Sequence, residues 1–293
     1  MSLTSRLINY FFTKSDAKRD KGLTSPKDII RRDDIQYCGD PVWNLLDVCY
    51  PTGTDRPLPA IVNIHGGGYV YGTKEAYQYY CMDLAQRGFA VVNFNYHLAP
   101  KHRFPMQLHE VNRVFEWMCD NATEYYIDLN NIFIVGESAG AHLTSQYSLM
   151  WADPDYAALF GIKVPKFRLA AIALNCGMYD AIADGPLKLI LKNVFRDYYG
   201  RNIAQYSDML NIEGRIKSNY PPSYVMSSAR DFLKHKCQPM AELLLSKGVP
   251  VEWKIYGEPS DKMAGHAFHC DIRYGLATRC NDDETAFFGR YAL

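Results

Sequence analysis

The chain contains no run of 18 uncharged apolar residues, no Cys-x-x-Cys pair, no excess of charge of either sign, and no repeat, low-complexity tract or linker. Each absence removes a class of function. Without the long apolar run, no bilayer-crossing helix is expected. The 32 basic and 32 acidic residues cancel and form no dense run, so nothing in the charge points to nucleic acid or an anionic membrane. The expected partner is therefore a small molecule. Eight cysteines (Cys38, Cys49, Cys81, Cys119, Cys176, Cys237, Cys270, Cys280) sit mostly among apolar neighbours and read as reduced thiols of a large intracellular protein, although an even count also permits disulfides. The segment Met1 to Phe12 lacks the continuous apolar stretch and small-residue cleavage site of a secretory signal, so the expected location is cytoplasmic. At 293 residues, with no linker, the chain is expected to form one α/β domain with a sizeable core.

What is present is an alternation of strand and helix patterns. Apolar strand candidates fall at 60–64, 90–95, 131–135, 169–175, 222–227 and 251–256, with helical patterns at about 75–87, 106–121, 139–151 and 237–247. Such alternation predicts parallel strands joined by crossover helices, with reactive residues at the carboxyl ends of the strands. Two earlier candidates, 35–38 and 44–50, flank the turn signal Gly39-Asp40-Pro41 and look antiparallel. Residues 1 to about 34 combine an apolar cluster (Leu7, Ile8, Tyr10, Phe11, Phe12) with a charged stretch and read as a helix over the site or an ordered tail. The segment 177–220 is too long for a plain connection and is expected to cap the site.

Two motifs carry chemistry. Gly136-Glu137-Ser138-Ala139-Gly140 follows the strand Asn131 to Val135, and the Gly-x-Ser-x-Gly turn is the place where a strand passes sharply into a helix with its serine hydroxyl exposed. His65-Gly66-Gly67-Gly68 follows the strand Ala60 to Ile64, and a glycine loop there can aim backbone amides at a substrate oxygen. Ser138 is the candidate nucleophile. Gly66, Gly67 and Ala139 are the candidate oxyanion donors, while His65, Gly68 and Glu137 are expected to face the substrate.

A serine hydroxyl needs an imidazole base oriented by a carboxylate, and with this turn the chain order is serine, acid, histidine. Asp231 follows the strand 222–227 by a short link and is preferred over Asp180, for which a helix cap or turn role fits better. His266 directly follows Gly265 at the end of a loop and is the preferred base; His269 is expected on the next helix. The pair His266 and His269 lacks a recognisable metal pattern, so no metal is expected. His97, His102 and His142 are expected to be structural.

These residues resemble the hormone-sensitive-lipase-like branch of the α/β-hydrolase family, which includes many bacterial carboxylesterases. The likeness extends to Tyr96-His97-Leu98-Ala99-Pro100 through Phe104-Pro105, to Ala229-Arg230-Asp231-Phe232-Leu233, and to Gly265-His266-Ala267-Phe268, covering about residues 58 to 275. Three positions depart from the usual pattern: Glu137 stands where Asp is frequent, His97 where Arg is usual, and Ala267 where a glycine commonly follows the histidine. The resemblance implies an α/β-hydrolase fold with a mostly parallel eight-stranded sheet, flanking helices, and cap elements from about 1–34 and 177–220. It also implies cofactor-independent cleavage of small, short-acyl carboxylic esters. An amidase, peptidase or longer-chain lipase could use the same three residues, with Phe195, Tyr198 and Tyr199 either lining an apolar channel or packing the cap. A binding-only homologue fits less well, because all three residues are present. A homodimer is left open.

Overall fold

In a computed structural model of the chain, residues 1–181 and 184–293 are described. Ile182 and Ala183, inside the expected cap segment 177–220, lie outside the described residues. The strands are β1 (Ile29–Gln36), β2 (Leu45–Pro51), β3 (Leu58–Ile64), β4 (Ala90–Phe94), β5 (Ile127–Glu137), β6 (Leu169–Asn175), β7 (Ser223–Ser228) and β8 (Val251–Tyr256). The α-helices are α1 (Leu3–Asp20), α2 (Gln78–Ala85), α3 (Met106–Asn121), α4 (Ala139–Ala152), α5 (Pro154–Ala158), α6 (Lys188–Tyr199), α7 (Ser207–Leu210), α8 (Lys234–Ser246) and α9 (Gly275–Gly289).

The eight strands form one sheet in the order β1-β2-β4-β3-β5-β6-β7-β8. Pairing is antiparallel for β1 with β2 and β2 with β4, and parallel from β4 through β8. This is the expected architecture. Alternation along the central strands explains why the sheet is covered on both faces: Ala60, Val62 and Ile64 of β3 join one apolar core, while Ile61 joins the other. On β5, Ile132 and Ile134 face the first core and Phe133 and Val135 the second. Both faces must bury apolar surface, which is why these strands read as continuous apolar runs.

Several boundaries differ from the sequence expectation. The first strand covers Ile29–Gln36 rather than 35–38, because Ile29 to Arg32 and then Ile35 and Gln36 pair along β2, with a register shift between Arg32 and Ile35. The pattern at 75–87 splits into a 3-10 turn over Lys74–Tyr77 and a shorter α2. The helix expected after His266 is α9, which starts only at Gly275 and so does not include His269. It packs Phe287 and Phe288 into the second core. All eight cysteines are free thiols. Among the described residues, no helix is long and apolar enough to cross a membrane.

Two backbone positions dictate how closely the elements meet. Gly140, in the first turn of α4, lies so near the end of β3 that a Cβ there would sit 1.9 Å from the Ile64 carbonyl oxygen. Backbone cannot yield as a flexible side chain can. Gly140→Ala is therefore expected to destabilise by at least about 1–3 kcal/mol, read as a lower denaturant midpoint. Ala267 presents the converse case, since it holds φ 57° and ψ 27°, a left-handed geometry that penalises a Cβ. Ala267→Gly is expected to raise the midpoint, by up to about 1 kcal/mol after the extra freedom of unfolded glycine is subtracted. An unchanged or lower midpoint would contradict that reading.

Candidate active site

Ser138 stands where β5 runs directly into α4, with φ 54° and ψ −113°. A non-glycine residue in this region costs about 1–3 kcal/mol and persists only where its surroundings enforce it. Here the backbone enforces it: the Ser138 amide donates to the Asn175 carbonyl at 2.9 Å, and the Ser138 carbonyl accepts from Met178 at 3.1 Å and Ala141 at 3.2 Å. Strand β6 and its following loop thus hold the turn from the side. Gly136 and Gly140 permit it, because a Cβ on Gly136 would fall 2.4 Å from the Gly140 carbonyl oxygen.

Asp231 and His266 come from the carboxyl ends of β7 and β8, as the strand-end rule requires. Asp231 Oδ1 lies 2.7 Å from His266 Nδ1. The same carboxylate accepts from the Ser227 hydroxyl at 2.6 Å and the Leu233 amide at 2.9 Å. Burial alone would raise its pKa, but the His266 charge and these hydrogen bonds outweigh burial and hold the carboxyl below its ordinary value. Asp180, the competing acid, instead pairs with Lys236 at 3.0 Å.

The second ring nitrogen of His266 is also engaged. Nε2 lies 2.9 Å from Glu137 Oε1. Burial disfavours the charged ring, yet the Asp231 and Glu137 carboxylates together overcome it and push the pKa to about 10. The phenyl ring of Phe232 covers the imidazole at 4.2 Å between centroids. Ser138 Oγ has no hydrogen-bond partner among the described residues. Both side chains nevertheless border the same cavity, of about 420 Å³. Its walls are almost wholly apolar: Leu7, Ile8, Phe11 and Phe12 from α1, Leu191, Val194 and Phe195 from α6, and Tyr69, Met178 and Phe232. Helices α1 and α6 are tied together by the Ser2 amide on Asp197 at 2.7 Å and by Asn193 on Thr4 at 2.9 Å.

The glycine loop requires one correction. The Gly66 amide donates to the Tyr77 hydroxyl at 3.0 Å, so it is occupied and does not face the cavity as an oxyanion donor. The amides of Gly67 and Gly68 make no hydrogen bond among the described residues, and Gly68 and Ala139 border the cavity. Positive φ values of 98° and 60° at Gly67 and Gly68 turn the chain there. Two substrate-facing expectations also change. His65 is fully buried with its ring stacked 4.0 Å from that of Tyr96, and Glu137 contacts His266 and Tyr77 rather than the cavity.

The other histidines are structural in their contacts. His97 Nδ1 lies 2.5 Å from Glu110, and its ring stacks on Trp43. His142 Nδ1 bonds the Tyr69 hydroxyl at 2.8 Å, and His269 sits buried in a 3-10 turn rather than on a helix, its pKa lowered by burial to about 3. Phe195 joins the cavity wall, whereas Tyr198 stacks on Tyr69 at 3.8 Å and is fully buried. Cys176 Sγ lies within 4.8 Å of ligand atoms of Asp231 and His266, and burial keeps its thiol protonated. Tyr77 escaped the sequence reading, since it lies in neither motif and a lone tyrosine in a helical pattern carries no signal of its own.

Several known proteins are similar to this chain. Ethyl acetate hydrolase of Pseudomonas putida is 34% identical over 202 residues, covering 67% of this chain and 63% of that protein. Esterase LipC of Mycobacterium tuberculosis is 27% identical over 217 residues, covering 69% of this chain and 51% of that protein. The chain thus spans about half to two thirds of the length of these relatives. In overall shape it is similar to an inhibited esterase B of Lactobacillus rhamnosis, with a TM-score of 0.89, 21% identity and coverage of 99% of this chain and 97% of that one. At that identity the likeness speaks to the fold. Residues 46–233 match the BD-FAE family. The chain therefore belongs to the BD-FAE family, of the α/β-hydrolase type.

Proposed function

We propose that this protein is a cofactor-independent serine carboxylesterase acting on small esters through Ser138, His266 and Asp231. The observation that carries the reading is the Asp231–His266 hydrogen bond of 2.7 Å beside an apolar cavity that both His266 and Ser138 border. The esterases among its relatives support the same reaction class.

The reaction begins once the ring has left Glu137 and given its Nε2 proton to water; the neutral imidazole then takes the Ser138 proton on Nε2 as Oγ bonds to the ester carbonyl carbon. Catalytic hydrogen bonds often tighten only around bound substrate, so the rest position on Glu137 is compatible with this step. Negative charge then develops on the carbonyl oxygen. The amides of Gly67, Gly68 and Ala139 would receive it, each such donor being worth about 2.7–4 kcal/mol in the transition state. Collapse breaks the bond to the alkoxy oxygen, which leaves as the alcohol with the proton from His266. Water then adds to the acyl-enzyme and gives a proton to His266; cleavage of the acyl bond to Oγ releases the acid and returns that proton to Ser138. Asp231 keeps the proton on Nδ1 throughout and stabilises the imidazolium.

Helices α1 and α6 would act as the cap that sets ester size. A volume of about 420 Å³ lies at the small end of ordinary ligand sites, which fits short acyl chains. Phe195→Ala, by opening one wall, is expected to shift relative kcat/KM toward longer chains in a p-nitrophenyl ester series. A profile identical to wild type would detach Phe195 from specificity.

Ser138→Ala and His266→Ala are each expected to reduce ester turnover to background with the fold retained, because members of such a unit fail together. Asp231→Asn is expected to lower kcat by roughly 10⁴, through loss of the correct tautomer. Near-normal turnover in Asp231→Asn, with Asp180→Asn inactive, would move the acid to Asp180.

A further inference from the structure

Three contacts run in series from the glycine loop to the imidazole. The Gly66 amide donates to the Tyr77 hydroxyl at 3.0 Å, that hydroxyl donates to Glu137 Oε2 at 2.5 Å, and Glu137 Oε1 lies 2.9 Å from His266 Nε2. None of the steps of ester cleavage uses Tyr77. We propose that Tyr77 and Glu137 are positioning residues that couple the glycine loop to the base: Tyr77 fixes the loop and the carboxylate together, and Glu137 holds the imidazole beside Ser138 between turnovers. The proposal rests on the reading of Ser138, His266 and Asp231 given above.

The chain of contacts has rigid ends. Tyr77 closes the 3-10 turn Lys74–Tyr77, which is pinned to the sheet by the Lys74 amide on Asn95 at 2.6 Å and the Lys74 ammonium on Asp47 at 2.9 Å. At the other end, a Cβ on Gly66 would fall 1.9 Å from Glu137 Oε2, so loop and carboxylate are in direct contact. A buried hydroxyl with both its donor and its acceptor roles filled resists displacement. Glu137 is also the chain neighbour of Ser138, so the imidazole nitrogen passes between adjacent residues.

Charge gives the coupling a measurable signature. The titratable groups around His266 are Asp231, Glu137, Cys176 and His269, and beyond Glu137 stand Asp16 and Cys270, with Arg19 near both His269 and Cys270. Burial keeps the Cys176 and Cys270 thiols and the His269 ring neutral, leaving two adjacent carboxylates to hold the proton on His266. The base works only when neutral. A raised pKa therefore places the acid limb of the pH profile above the ordinary imidazole value, and removing one carboxylate charge must bring that limb down.

The test is the pH dependence of kcat/KM for a p-nitrophenyl ester, normalised to active sites counted from the p-nitrophenol burst. Glu137→Gln is expected to lower the acid limb by about one pH unit or more, since one unit is the change expected when a contact charge is lost. Glu137→Asp retains the charge and should leave the limb near wild type. Tyr77→Phe should lower kcat roughly ten- to a hundredfold with little change in KM, through a displaced loop, and should leave the limb in place. An unmoved limb in Glu137→Gln, or wild-type kcat in Tyr77→Phe, would overturn the coupling. If Tyr77→Phe does not fold, the Gln and Asp variants decide the matter alone. Turnover surviving in Ser138→Ala would overturn the triad itself, whereas loss of turnover there with an unmoved limb in Glu137→Gln would overturn the coupling only.

Discussion

The contact between Gly140 and the Ile64 carbonyl is the constraint on which the site depends. It brings the first turn of α4 against the end of β3, at a separation no other residue type would allow. Two consequences follow from that one approach. The turn carrying Ser138 and the loop of Gly66, Gly67 and Gly68 become neighbours, and the helix leaves the sheet at an angle that keeps Ser138 in its strained geometry. The parallel register of β3 with β5, which pairs Ile64 with Gly136, sets the ends of the two strands side by side.

Around that frame, the electrostatics are arranged to hold one charge. His266 is half-buried with the Phe232 ring over it, and that desolvation alone would favour the neutral form, yet it touches a carboxylate on each ring nitrogen. The two carboxylates therefore favour the imidazolium form of the ring. The nearby thiols and the second histidine are kept neutral by burial and do not compete. The apolar walls of the cavity beside this charge pair strengthen polar interactions inside it, because they screen charge less than water does.

Much of this was legible in the sequence, for physical reasons. Strands buried on both faces must be continuous apolar runs, so β3, β4, β5 and β6 were visible as such. Glycines needed for close approach cannot be replaced, which made both motifs readable, and chain order then led to Asp231 and His266. The apolar cluster in α1 and the long connection after β6 were legible too, and both supply walls of the cavity. What escaped the sequence depends on geometry across distant elements. Nothing local announces that the Tyr77 hydroxyl will occupy the Gly66 amide, so the sequence alone presents Gly66 as a free donor. Glu137 could be read as facing substrate because it adjoins Ser138, which borders the cavity, whereas successive residues along a strand point to opposite sides. Ala267 looked like a departure from pattern; its left-handed backbone gives the physical reason a glycine suits that position.

The central claim is that the Ser138 hydroxyl is the nucleophile, activated by His266. Treatment of the intact protein with a fluorophosphonate, followed by peptide mapping by mass spectrometry, tests it most directly. The account predicts a single phosphonylated site at Ser138, formed rapidly in the wild type and at a greatly reduced rate in His266→Ala. Modification elsewhere, or rapid labelling of Ser138 that persists without His266, would contradict it.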